Sequence, residues 1–199
     1  MDASRGKRGL GRRFKLALEF AWKLHRSQYR NRTTIPYISH LMTVAAIVLE
    51  QGGDEDLAIA ALLHDAVEDQ GGRRTLNRIR RLFGERVAGI VESCSDAIRL
   101  RKPPWRERKR KYVEHIRNSP PDVRLVSLAD KLHNAGRIAA DLRTHGNKVW
   151  ARFSGGKSGT LWYYRELVHA YRLAGSPPEM VDELERLVTR MRGKGSGRG

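Results

Sequence analysis

Four residues of metal-ligand type, His40, His64, Asp65 and Asp130, sit in or beside three strongly apolar stretches. The densest is Leu62-Leu63-His64-Asp65-Ala66-Val67-Glu68-Asp69-Gln70, which follows Leu57-Ala58-Ile59-Ala60-Ala61. A helix that is apolar on every side is a buried helix. A histidine and three carboxylates in its last turn then need a positive partner. An arginine could serve. A divalent metal accounts better for the adjacency of His64 and Asp65, because neutral imidazole and carboxylate together suit a borderline transition ion. Continued through residue 70, the helix would place Glu68 over His64 and Asp69 over Asp65 at i, i+4.

Asp130 lies in a second apolar helix, behind Leu125, Val126, Leu128 and Ala129, with Asn134 one turn on. His40 opens a third. Alone, His40 would read as a capping or core histidine and Asp130 as a salt-bridge partner. Together the three helices offer two imidazoles and two carboxylates. That set leaves positions open on an octahedral Mn²⁺- or Fe²⁺-like ion, and open positions separate catalytic from structural sites. His25, His115, His133, His145 and His169 lack such company and read as structural or surface residues.

The elements that position these residues are all helical. Helical spacing of Phe14, Leu18, Ala21, Trp22 and Leu24 or His25 predicts a helix from Arg12 to about Ser27. A polar loop, residues 28–36, closes at Pro36. Ser39 is the expected N-cap of the helix that starts with His40 and stops at Gly52-Gly53. Asp54 caps the next one. Thr75 is the expected cap of a short helix to Phe83, and Glu85 to about Ile98 forms another. Pro103-Pro104 breaks the chain before a very basic helix, Trp105 to Arg117. Pro121 at a first helical position starts the Asp130 helix, which Gly146 ends. Residues 154–159 read as a flexible glycine loop, and two helices close the chain, Leu161 to Ala174 and Pro178 to Met191. No alternating strand pattern of useful length occurs, so the fold class is all-α.

With 199 residues and 40% hydrophobic content, the chain fits one domain with basic ends. We divide it into a basic, disordered N-terminus over 1–11, a globular domain over 12–192 and a basic glycine-rich tail over 193–199. No apolar run reaches membrane-spanning length, and no apolar segment follows the basic start as in a secretory signal. A single cysteine, Cys94, excludes an internal disulfide framework and reads as a small core thiol, so a reducing cytoplasm is the expected address. The net charge of +17 is concentrated at 5–13, 99–111 and 190–198. It points to a polyanionic partner, either a phosphate-rich small molecule or nucleic acid.

The order His40, His64-Asp65, Asp130 matches the H…HD…D pattern of the HD phosphohydrolase superfamily. The strings Tyr37-Ile38-Ser39-His40, His64-Asp65-Ala66-Val67-Glu68-Asp69, Phe83-Gly84 and Leu128-Ala129-Asp130-Lys131-Leu132-His133-Asn134 resemble the hydrolase domain of the Rel/SpoT enzymes. Those enzymes hydrolyse the alarmone (p)ppGpp, and the stand-alone small alarmone hydrolases have about this length. The resemblance spans residues 14–145. It implies a compact helical HD-domain bundle with Mn²⁺ held by His40, His64, Asp65 and Asp130. It implies that Glu68 and Asp69 orient or activate the attacking water, and that the 3′-pyrophosphate leaves as one unit. Metal lowers the pKa of water and a nearby carboxylate can take the proton, so the implication is chemically coherent.

On the nucleotide side, the family loop Gln-x-Arg-Lys reads Gln28-Tyr29-Arg30-Asn31 here. Arg30 could stack on a purine, while Asn31 removes a charge. Asn134 matches a family asparagine that contacts the nucleotide. Arg137 stands in for the arginine that the family has at Gly136. Lys157 in the glycine loop could reach a phosphate and Tyr163 or Tyr164 a ribose. Arg108 and Lys109 are candidate phosphate contacts on the basic helix. Two other readings remain in view: an HD-type hydrolase of another nucleotide, such as (p)ppApp, NADPH or a nucleoside monophosphate, and an idle, basic nucleic-acid-binding protein.

Overall fold

In a computed structural model, residues 9–31, 33–95 and 103–193 are described. The termini expected to be basic tails, 1–8 and 194–199, and the start of the 99–111 basic segment lie outside them. Among the described residues the chain is helical, with one isolated antiparallel bridge between Tyr29 and Pro36 in place of any strand. The helices are α1 (Arg12–His25), α2 (Ile38–Glu50), α3 (Glu55–Leu63), α4 (Ala66–Asp69), α5 (Gly72–Phe83), α6 (Glu85–Cys94), α7 (Trp105–Asn118), α8 (Pro121–His145), a 3₁₀ turn over Gly146–Arg152, α9 (Gly156–Leu173) and α10 (Pro178–Arg192).

Helix α3 is the hub. All of its residues from Leu57 to Leu63 are buried, as expected of a helix with no polar face, and α1, α2, α6 and α8 pack around it. Asp54 caps it by accepting from the Leu57 amide at 3.0 Å. Arg86 on α6 then ties that cap to α8, bonding Asp54 at 2.6 Å and Asp122 at 2.8 Å. The close turn before α3 needs Gly53, since a Cβ there would lie 2.6 Å from Val48 Cγ1 and 2.8 Å from the Val48 carbonyl oxygen. Helix α8, about 37 Å long at 1.5 Å per residue, runs beside α2 and α10 and carries Asp130.

Several local expectations change. The apolar helix does not run on to residue 70. It ends at Leu63, His64 and Asp65 form a turn, and α4 restarts at Ala66. Thr75 lies inside α5 and its hydroxyl donates to the Gln70 carbonyl. Ser39 likewise lies within the first turn of α2, its hydroxyl donating to the Pro36 carbonyl. Helix α6 stops at Cys94, which is half-buried against the core; residues 96–98 fall outside the described part. Trp22 is 52% exposed, and Ala17, Phe20 and Ala21 form the buried face of α1 instead.

The glycine stretch is also more ordered than its composition suggests. Helix α9 begins at Gly156, so only residues 153–155 separate it from the 3₁₀ turn. The glycines serve Trp105. A Cβ on Gly155 would come within 2.5 Å of its ring and one on Gly159 within 3.1 Å. Gly155→Ala should therefore dislodge the indole from its cradle. Overpacking of this kind costs about 1–3 kcal/mol, which a denaturant titration would register as a lower midpoint with Trp105 fluorescence changed.

Candidate metal centre and the cavity beside it

The break at His64–Asp65 is what makes the centre. Neighbours on a continuous helix diverge by about 100°. Across the turn, Asp65 Oδ2 instead comes within 3.0 Å of His64 Nε2. His40, from the first turn of α2, brings its Nε2 to 3.5 Å from Asp65 Oδ2 and 3.2 Å from Asp130 Oδ1. Asp130 Oδ1 is also 3.7 Å from His64 Nε2. Donors bound about 2.2 Å from one ion in adjacent octahedral positions lie roughly 3.1 Å apart, which is the scale of this cluster.

A direct check of whether a cation belongs here is the state of the two imidazoles. Both Nε2 atoms are buried and have no hydrogen-bond partner. Buried polar atoms are rarely left so. The His64 Nδ1 proton is fixed on the Ala61 carbonyl at 2.8 Å, so Nε2 is the atom that faces the carboxylates and would give up its proton to bind a cation. His40, His64 and Asp65, whose ligand atoms all lie within 4.8 Å of one another, therefore fit a divalent metal, with Asp130 Oδ1 beside the two imidazoles.

The surrounding contacts orient the donors, as is usual at metal sites. His40 Nδ1 lies 2.6 Å from His133 Nδ1, with the two rings stacked at 4.9 Å. Burial, together with His40 and Arg30, pushes the His133 pKa down to about 4, so His133 is neutral and shares one hydrogen bond with the His40 Nδ1. The Tyr37 hydroxyl donates to Asp65 Oδ2 at 2.5 Å. Lys131 donates to Asp130 Oδ2 at 2.5 Å, and Asn134 donates to Asp130 Oδ1 at 2.5 Å while accepting from Arg30 at 2.8 Å. His133 and Lys131 touch this cluster, and the sequence reading passed over both. Asp130, His133, Asn134 and Arg137 follow one helical stripe at i, i+3, i+4 and i+7, a signal that was available.

A cavity of about 590 Å³ opens beside this cluster. Arg30, Asn31, Asn134, Arg137 and Tyr163 all line it, as do Lys109 and Tyr164. Lys131 and Arg152 add two more cations to its wall. Arg30 also lies over the Tyr37 ring at 5.8 Å. Asn31 is turned to the Arg152 carbonyl at 3.1 Å, and both Arg137 and Arg152 are held by Asp141, at 3.2 and 2.8 Å. The Thr160 hydroxyl is buried on the cavity wall without a partner. Lys157 does not belong to this cavity. The first turn of α9 carries it to a different cleft, because the loop that was to bring it inward is helix. Arg108 is not on the cavity wall either.

The paired carboxylates of α4 part company. Glu68 is half-buried. Asp69 is exposed and accepts from Gln28 Nε2 at 2.7 Å; Gln28 Oε1 in turn meets His25 Nδ1 and Gln70 Nε2, each at 2.7 Å. Partial burial raises the Asp69 pKa, with Asp65 and Glu68 adding to the shift against the Gln28 hydrogen bond. Because the helix is interrupted at His64, the i, i+4 register that would set Glu68 over His64 and Asp69 over Asp65 does not hold.

The donor set also fixes a pH dependence. Burial disfavours a charged His64, but Asp65 and Asp130 outweigh it and hold the imidazole well above 6.5 in the apo protein. A raised pKa contributes stability that is complete below the ordinary histidine range and is lost as pH rises through the raised value. A metal must displace that proton. Metal affinity should therefore rise with pH by about tenfold per unit for each proton released, and level off once pH passes the raised His64 value. Calorimetric titration at several pH values checks this, and a flat affinity would contradict it.

The HD domain family pattern matches residues 17–161, and the chain belongs to that family. Among curated relatives it is similar to the human guanosine-3′,5′-bis(diphosphate) 3′-pyrophosphohydrolase MESH1, 42% identical over 121 residues, covering 59% of this chain and 65% of the relative. It is 36% identical over 125 residues to the MESH1 of Drosophila melanogaster, covering 61% and 67%. The chain thus spans about two thirds of the length of these relatives, and a little less of the human one. Among solved structures, a metazoan ortholog of SpoT, described as hydrolysing ppGpp and playing a role in starvation responses, superposes with a TM-score of 0.74 at 29% identity, over 93% of this chain and 98% of that one. The lmo0812 protein of Listeria monocytogenes EGD-e superposes with a TM-score of 0.66 at 32% identity, over 80% and 99%.

Proposed function

We propose that this chain is a metal-dependent pyrophosphohydrolase that converts (p)ppGpp to GDP or GTP and pyrophosphate. The observation that carries the proposal is the convergence of His40, His64, Asp65 and Asp130 on one point beside a cation-lined cavity. The relatives named for this reaction support it. Mn²⁺ is the proposed ion, with Fe²⁺ as the other candidate, since two imidazoles and two carboxylates suit either. Such an ion supplies Lewis acidity toward phosphoryl oxygens and lowers the pKa of water.

The protein's own groups do the rest. Arg30, Lys109, Lys131, Arg137 and Arg152 place positive charge where a substrate of several negative charges must sit. Tyr163, Tyr164 and the buried Thr160 hydroxyl are placed to meet the sugar. Glu68 and Asp69 are the proposed proton acceptors, and the raised pKa of Asp69 suits that work. The guanidinium of Arg30, already over Tyr37, is placed to stack on the base. No helix among the described residues is long and apolar enough to cross a membrane, and the single cysteine favours the cytoplasm as the place of action.

The test is a nucleotide panel with Mn²⁺, comparing ppGpp, ppApp, NADPH and nucleoside monophosphates. Release of pyrophosphate from ppGpp is expected. Orthophosphate release, or turnover of NADPH alone, would assign another substrate, and salt-sensitive RNA binding without turnover would replace the enzyme reading.

A further inference from the structure

A second cleft, of about 530 Å³, lies away from the metal centre between the C-terminal ends of α8 and α10 and the start of α9. Along α8, Arg143 is roughly 20 Å from Asp130 at 1.5 Å per residue. Segments far apart in sequence bring four cations to it: Arg143, Lys157, Arg190 and Arg192. Its floor is apolar, formed by Ala139, Leu142 and Met191.

Two features mark this cluster. Several arginines elsewhere are tied to carboxylates, such as Arg86 to Asp54 and Asp122, Arg152 to Asp141, and Arg172 to Asp182 and Glu185. None of the four cleft cations makes an ion pair among the described residues. Second, Lys157 stands in the first turn of α9, where the helix dipole is positive and a cation is unfavourable. That turn holds no acidic residue, and the N-cap Gly155 gives no side-chain bond. Cations in the last turns of α8 and α10 complement the dipoles of those helices, but Lys157 has no such reason to face them. An anion in the cleft would relieve all four at once.

We propose that this cleft is a second nucleotide site, which takes a nucleoside diphosphate or a more highly phosphorylated nucleotide. The phosphates meet Arg143, Lys157, Arg190 and Arg192, and the base lies on the apolar floor. The volume falls within the usual range of small-ligand pockets. Single-stranded nucleic acid instead favours long tracks with exposed aromatic platforms, which this short cleft lacks.

The test is calorimetry of the full chain with GDP at low salt, with EDTA present so that no turnover occurs. Two GDP per chain are expected. Arg143→Ala/Arg190→Ala, both at exposed positions, should weaken one site at least tenfold and leave the melting temperature unchanged. Arg30→Ala should affect only the other site, so the second cleft remains testable even if the catalytic proposal fails. One GDP per chain that the double variant leaves unchanged would overturn the inference. So would two sites that both ignore the double variant. Inorganic pyrophosphate binding as tightly as GDP would remove the nucleotide assignment, and a short single-stranded RNA that binds more tightly than GDP and is lost in the double variant would overturn it in favour of RNA.

Discussion

Asp65→Asn should lower hydrolysis by about 10³-fold or more, with helical content intact. The substitution keeps the shape of the side chain and its place beside Tyr37. It removes the charge that faces both Nε2 atoms, at 3.0 and 3.5 Å. A loss of that size corresponds to roughly 4 kcal/mol of transition-state stabilisation, which is what Lewis-acid assistance supplies. The four donors act as a unit, so His64→Ala added to Asp65→Asn should cost little more than either alone, as for other residues that work together. Turnover and bound metal measured on the same samples check this. A variant that kept its turnover, or two losses that multiplied, would show that the cluster is not the reaction centre.

The second large effect is expected at Lys131. Its ammonium is buried at 15% side-chain exposure, bonds Asp130 Oδ2 and lies over the Tyr112 ring at 5.1 Å. Burial opposes its charge, but Asp130 outweighs burial and holds the pKa well above 10.5. Lys131→Met keeps the apolar stem and removes the charge. Breaking a buried pair from one side costs about 3–5 kcal/mol, and for a chain of this size about 3 kcal/mol lowers Tm by about 6–12 °C. A divalent ion on Asp130 replaces part of the missing charge. The drop should therefore be full in EDTA and smaller with Mn²⁺ at saturation. Equal drops in both conditions would mean that Lys131 does not share Asp130 with a metal.

The sequence carried the all-helical architecture because its apolar residues recur at helical spacing and glycine or proline marks most boundaries. It also marked the four residues that come together, His40, His64, Asp65 and Asp130, since histidine and aspartate in wholly apolar helices have few other uses. The turn at His64–Asp65 was hidden. Both residues tolerate a helix, and only the requirement that two neighbours aim at one point interrupts it. Lys131 was hidden for a related reason. It is adjacent to Asp130 and so begins on another face, and its long stem brings the charge back. His133 was legible, three residues after Asp130, but a single histidine looks like core until His40 is placed against it. Lys157 misled because glycines around a lysine suggest a phosphate loop. Here those glycines make room for the Trp105 ring.

The most direct measurement is anomalous diffraction from crystals grown with Mn²⁺. One peak should lie within about 2.0–2.3 Å of His40 Nε2, His64 Nε2 and a carboxylate oxygen each of Asp65 and Asp130, and it should vanish in Asp65→Asn. Full pyrophosphate release by crystals or solutions with that position empty, or a peak held by other residues, would contradict the centre described above.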